Sequence, residues 1–160
     1  MNKLPNPNSY PMNNLPKEKQ FAYIYGTASY AVQPDQDIPL DNNGPMTDKL
    51  IHNYGSSVII VKQTGIYKLT YVIVSESSNN QVAVAVNNRV VYDSLYGAEG
   101  GAQNYGQIVL HLREGDVLSL RNLEGVLVLP QLAYDNFNIV NLSIILETMN
   151  FGVIPEDEDC

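Results

Sequence analysis

Few side chains in this chain are equipped for covalent or metal chemistry. His52 and His111 are its two histidines, and Cys160, the last residue, is its one cysteine. A metal site in a small β-barrel needs closely spaced imidazoles, as in His-x-His, with a carboxylate beside them. His52 and His111 stand far apart, and neither has a histidine neighbour, so metal ligation is not expected of them. Cys160 follows Glu156-Asp157-Glu158-Asp159, and four carboxylates disfavour the thiolate that a nucleophile paired with His111 would need. Asp35, Asp37, Asp41 and Asp48 crowd one stretch. Calcium favours several oxygens from one loop, but the alternating acids of an EF-hand are missing before Gly44, so solvated loop carboxylates are expected. No Ser-His-Asp ordering, phosphate loop or pair of catalytic carboxylates stands out. The expectation is a non-enzyme with no catalytic residues, no cofactor and no metal.

The overall composition restricts partners. Of the 160 residues, 44% are apolar and only 16% charged, with a net charge of −8. A typical soluble domain carries about 25% charged residues, so little of this surface is protected by charge and self-association is favoured. No basic stripe exists for nucleic acid, and an anionic membrane surface is disfavoured on the same ground. The longest apolar runs, such as 126–129, are far too short to span a bilayer. No apolar run follows Lys3, which predicts that the chain carries no signal peptide.

The elements that would position any site read as strands. In the stretch 65–75, GIYKLTYVIVS, Tyr67, Leu69, Tyr71 and Ile73 alternate with Lys68, Thr70, Val72 and Val74. Successive strand side chains point to opposite faces, so this is a strand with large side chains on both. One face meets a core; the other is too apolar for open water and calls for a second cover, another layer or another copy of the chain. The stretch 21–32 reads as a first strand with an interruption at Gly26, and 33–47 as a proline-limited connection with Ile38 and Leu40 turned inward. A helical turn is the reading for 50–54 and a short buried strand for 57–62. Residues 81–86 and 90–95 form a hairpin closed by Asn87-Asn88, since asparagine tolerates the positive φ of primed turns. Residues 96–107, YGAEGGAQNYGQ, read as a glycine-rich loop. Strands are expected over 108–113 and 117–123, joined by the turn Glu114-Gly115-Asp116, and over 139–149, with a crossing segment at 126–132. No stretch sustains a helical period. Roughly eight to ten short strands with regular turns predict an antiparallel sandwich or barrel. Residues 1–20 are expected to be a flexible Pro/Asn-rich arm, 21–150 the domain, and 151–160 an acidic tail ending in Cys160, whose thiol, if exposed, is a candidate for cross-linking one assembly to the next.

Three patches together resemble the C1q/tumour-necrosis-factor jelly-roll superfamily. TGIYKLTYVIVS at 64–75 is similar to its central GxY-type strand, and VLHLREGDVLSLRN at 109–122 to its paired strands around a Gly-Asp turn. FAYIYGTASYAV with IPL at 38–40, and the closing NLSIILETM, fall where its first and last strands would. Within the superfamily the chain most resembles the globular heads of bacterial spore-surface proteins, the collagen-like exosporium glycoproteins and the small exosporium anchoring proteins. It has no Gly-X-Y repeat, which moves the likeness towards the short anchoring type.

The resemblance implies an all-β fold, an antiparallel two-sheet jelly-roll sandwich of about ten strands, assembled as a homotrimer. It puts the strands of Phe21, Tyr23, Tyr25, Tyr67 and Tyr71 on the inner sheet near the threefold axis, making these five the candidate trimer interface. Tyrosine suits such a seam, having a large apolar body and a polar tip, and the chain has 11 of them. The expected function is that of a non-enzymatic structural protein of the spore surface, exosporium or outer coat, made in the mother-cell cytoplasm. Its expected partners are itself and other spore-surface proteins, with no nucleic acid and no membrane. The alternative is a trimeric head that binds a receptor or glycan, as on a phage fibre or a lectin, with 96–107 as the presenting loop; a cupin-like enzyme is the weakest reading.

Overall fold

A computed structural model describes residues 19–76, 79–99, 102–130 and 138–148. The arm, apart from Lys19 and Gln20, and the tail with Cys160 lie outside the described residues. The strands are β1 (Phe21–Gly26), β2 (Tyr30–Val32), β3 (Asn42–Met46), β4 (Leu50–Ile51), β5 (Ile59–Val61), β6 (Gly65–Ile73), β7 (Asn79–Val86), β8 (Arg89–Val90), β9 (Tyr96–Glu99), β10 (Asn104–Leu112), β11 (Val117–Asn122), β12 (Leu127–Leu129) and β13 (Val140–Thr148). Tyr92–Ser94 forms a single 3-10 turn.

All pairings among these strands are antiparallel. One sheet has the order β10-β6-β13-β1-β3, and the second runs β4-β5-β11-β7-β8 with β9 also paired to β7. β2 and β12 make a two-stranded ribbon. The expected alternation holds along β6: Tyr67, Leu69, Tyr71 and Ile73 are fully buried, whereas Ile66, Lys68, Thr70 and Val72 between them are half-buried. One apolar cluster lies between the layers. β6, β13 and β1 supply it from one side, through Leu69, Leu142, Ile144 and Ile24, and β7, β11 and β5 from the other, through Val82, Leu118, Leu120 and Ile59. Ile38 and Leu40 turn inward as expected and are fully buried. The fold is thus an all-β, antiparallel jelly roll with two facing sheets.

Several segments differ from expectation for local reasons. The stretch 21–32 is two strands in different sheets, because the chain leaves the first sheet after Gly26, where Asp41 Oδ2 accepts a bond of 3.4 Å from the Thr27 amide. Residues 50–54 hold β4, not a helical turn; Leu50 pairs with Val61 and fills the core. Pro45 sits in β3, which lies at the sheet edge, where proline's missing donor is tolerated. The hairpin turn is as expected, with Asn87 at φ 51° and Asn88 at φ 65°, but the return strand expected over 90–95 ends at Val90 and gives way to the 3-10 turn. The loop 96–107 contracts, since Tyr96–Glu99 pairs with β7 and Asn104 onward pairs with β6.

Candidate interaction face

Register places the outward side chains of the five-stranded sheet in rows. Tyr105, Val72, Asn141 and Tyr25 lie side by side, then Gln107, Thr70, Ser143 and Tyr23, then Val109, Lys68, Ile145 and Phe21. His111 and Ile66 continue at the end of β10 and β6. This face is apolar and open: Val109 is 55% exposed, Tyr105 54%, Phe21 42% and Ile145 36%. Tyr23 and Tyr25 are half-buried, with ring centroids 5.8 Å apart and planes tilted by 30°. The Tyr23 hydroxyl accepts a 2.9 Å bond from Asn138 Nδ2. Its charged side chains are Lys68, at the centre, and Glu147, exposed near the end of β13.

The five aromatic residues expected to form one seam separate here. Phe21, Tyr23 and Tyr25 are on the outward face. Tyr67 and Tyr71 are fully buried on the opposite face of the sheet, within the subunit core, and are therefore not a surface. The reason is parity: β6 turns its odd residues inward, whereas β1 turns Ala22 and Ile24 inward and its odd residues out. The Tyr71 hydroxyl crosses to the second sheet and lies 2.8 Å from both the Val82 and Ser94 carbonyls. Tyr96 meets its ring edge-on at 6.4 Å. The Tyr67 hydroxyl donates to the Gln63 carbonyl at 2.6 Å. Burial holds the Tyr67 phenol protonated up to about 12. It also pushes the Tyr71 phenol well above the usual tyrosine range, with the nearby Tyr96 phenol adding to the rise. Neither is set up as an acid or base near neutral pH.

The side chains considered for chemistry are committed elsewhere. His52 is buried, with Nδ1 on the Asn43 side-chain oxygen and Nε2 2.6 Å from the Ser56 carbonyl. Asn43 Nδ2 donates back to the His52 carbonyl at 2.9 Å, so this histidine ties β3 to the turn after β4. Asp37 accepts from Arg121 Nε at 3.1 Å and from the Ser119 hydroxyl at 2.9 Å. Arg121 in turn reaches the Asn88 carbonyl and side chain, pinning the β7–β8 turn. Among the described residues, no three His, Cys, Asp or Glu side chains gather to hold a metal.

Sequence reasoning missed Tyr105 as a member of the outward face, and it did not join Val109 and Ile145 to the aromatic residues of β1 there. Tyr105 was hidden inside the supposed glycine-rich loop, although 105, 107, 109 and 111 carry the same period of two as 108–113. A second feature is a cleft of about 470 Å³, lined by Asn79, Gln81, Gly97, Glu99 and Glu124. It opens where β7 pairs with β9.

No protein-family model matches the chain, and no curated protein matches it. Solved structures do. Murine APRIL aligns with a TM-score of 0.62 at 12% identity, covering 81% of this chain and 99% of that one. Eiger TNF from S. frugiperda aligns at 0.62 and 12%, covering 86% and 97%. The globular domain of zebrafish complement 1qA aligns at 0.59 and 12%, covering 83% and 100%. At such identity the likeness is one of fold: the chain has the jelly roll of TNF- and C1q-type domains.

Proposed function

We propose that this protein is a non-enzymatic building block of the bacterial spore surface, assembling as a homotrimer through the outward face of its five-stranded sheet and docking other surface proteins. The observation that carries the assembly is that face, on which Phe21, Tyr105, Val109 and Ile145 stand open to water around half-buried Ile66 and Val72. Burying the part of each large apolar side chain that is still open favours association by about 1 kcal/mol. Three copies around one axis would cover the face with a repeated contact. The TNF- and C1q-like fold supports this arrangement, and the chain's resemblance, within that superfamily, to the globular heads of spore-surface proteins is the support for the location. Light scattering on the eluting protein tests the assembly: a mass three times that of the chain is expected, and a concentration-independent monomer overturns it. Labelling sporulating cells tests the location, with signal expected on the outer spore layers; uniform signal in vegetative cells overturns it.

A second reading is favoured by the polar cleft. The amides of Asn79 and Gln81 and the carboxylates of Glu99 and Glu124 suit the paired hydroxyls of a sugar. A glycan array showing binding that Gln81→Ala abolishes would support a glycan-binding head; an array with no signal removes it.

A further inference from the structure

We propose that Lys68 of one copy pairs with Glu147 of the neighbouring copy where the five-stranded faces meet, and that this contact selects which sides of the face come together; the inference rests on the assembly reading above. Lys68 is the one cation that the strands of this sheet carry, and Glu147 the one carboxylate: β10, β1 and β3 contain no Lys, Arg, Asp or Glu. Lys68 lies mid-sheet and half-buried on β6, between Val109 of β10 and Ile145 of β13. Glu147 is exposed on β13.

Neither charge finds its counterpart within the subunit. Among the described residues the ion pair is that of Arg121 with Asp37, and neither the Lys68 ammonium nor the Glu147 carboxylate makes a hydrogen bond. Their strands are nonetheless neighbours in the ladder. Leu146 pairs with Tyr67 and Thr148 with Ile66, so Glu147 is the extra residue of a bulge and has no partner of its own on β6. A bulge re-aims the side chain it carries. A cation and an anion thus stand near one another on an apolar face, unjoined.

In a separate subunit water serves both groups. Association strips water from Lys68, which already sits among apolar neighbours, and an ammonium sealed without an anion is far costlier than a paired one. Gln107, Thr70 and Ser143 in the adjoining row offer only neutral oxygens; Glu147 is the carboxylate that the sheet supplies. In a closed ring of three the contacts run head to tail, so one patch meets a different patch. The order β10-β6-β13-β1-β3 puts Lys68 towards one side of the sheet and Glu147 towards the other. A ring in which the β10–β6 side of each copy meets the β13–β1 side of the next brings the opposite charges together. A contact of like sides sets ammonium against ammonium where water is excluded, and is penalised. The pair therefore acts more on the choice of contact than on raw affinity.

The test is analytical ultracentrifugation of the full chain, with near-ultraviolet circular dichroism to follow the fold. The samples are wild type, Lys68→Glu, Glu147→Lys, the double variant, and an equimolar mixture of the two single variants. Each single variant is expected to keep its fold and to dissociate about tenfold more readily than wild type, or more. The double variant is expected to return towards the wild-type constant. The mixture is expected to associate more tightly than either single variant alone, because each chain supplies the charge that the other lacks. A pair closed within one subunit would be restored in the double variant but not in the mixture, so a mixture no tighter than its components overturns this inference. Single variants that associate like wild type, or a double variant as weak as the single ones, overturn it too, and all three results leave the assembly reading standing. A wild type that is monomeric at every concentration overturns the assembly reading and this inference with it.

Discussion

On the inward face of the five-stranded sheet, Tyr67 and Tyr71 are closed off from solvent and their hydroxyls end at backbone carbonyls. On the outward face, Tyr23 and Tyr25 stack with their rings half in water, and Tyr105 is more exposed still. The residue type is the same, and the strands are neighbours or nearly so. What differs is the side of the pleat. Inside, a tyrosine fills volume and anchors its hydroxyl within the subunit, Tyr67 on the turn before its strand and Tyr71 on the second sheet, so its environment is fixed by one subunit. Outside, a tyrosine presents area that the described residues leave open. A tyrosine count therefore says little about assembly until parity assigns each ring to a face.

The sharpest way to break this contrast is to charge the inward side. Tyr71→Asp buries a carboxylate among Val82, Leu69 and Ile73 with no partner, a change that costs about 4 kcal/mol or more. The subunit is expected to lose its cooperative thermal transition, not merely to dissociate. A monomer that melts like wild type would show that Tyr71 is not a core residue. Gly106→Ala comes next. Gly106 is the direct cross-strand partner of Tyr71, and a methyl there would lie 2.1 Å from the Tyr71 ring. Overpacking of this kind costs about 1–3 kcal/mol, so the urea midpoint should fall clearly; an unchanged midpoint would mean that the ring has room to move.

That glycine also shows where the sequence was legible and where it was not. The inward row of β6, the hairpin at Asn87-Asn88 and the core row of β13 follow from period and turn chemistry alone. The segment 96–107 did not, because its glycines looked like flexibility. Gly106 instead leaves space for the Tyr71 ring to lie across β10, and that need arises on another strand, invisible to a local reading. The candidate seam failed for a related reason. A strand's period says which residues share a face, but not which face is inward, and β1 and β6 resolve that choice separately. Phe21, Tyr23 and Tyr25 lie on the outward face, and joining Tyr105, Val109 and Ile145 to them needed the register.

Titration offers a gentler probe of the inward side. The Tyr67 phenol ionises at about 12 in the folded chain, against about 10 for an exposed tyrosine. A group whose folded value is raised contributes stability that is intact below the unfolded value and lost as pH rises through the folded one. Between about pH 10 and 12 the fold should therefore lose on the order of 2 kcal/mol through Tyr67. Urea midpoints measured across that range should fall, and less steeply in Tyr67→Phe. An identical slope in the variant would place the alkaline sensitivity elsewhere.

The outward side should give the smallest effect on the subunit, and that asymmetry completes the comparison. Tyr105 is 54% exposed and faces Val72 across the ladder, with no charged side chain in its row, so Tyr105→Glu introduces neither a buried charge nor a cavity. Surface changes of this sort stay within about 0.5 kcal/mol. Far- and near-ultraviolet circular dichroism should match wild type. A stable assembly makes the melting temperature rise with protein concentration, because association stabilises the folded state by mass action. That rise should be present in wild type and absent in Tyr105→Glu, whose carboxylate would have to be desolvated at the contact. If instead the variant unfolds, the outward row is part of the subunit's own packing. If it assembles unchanged, Tyr105 lies outside the contact, and the search for the covered surface moves along the sheet towards Phe21 and Ile145.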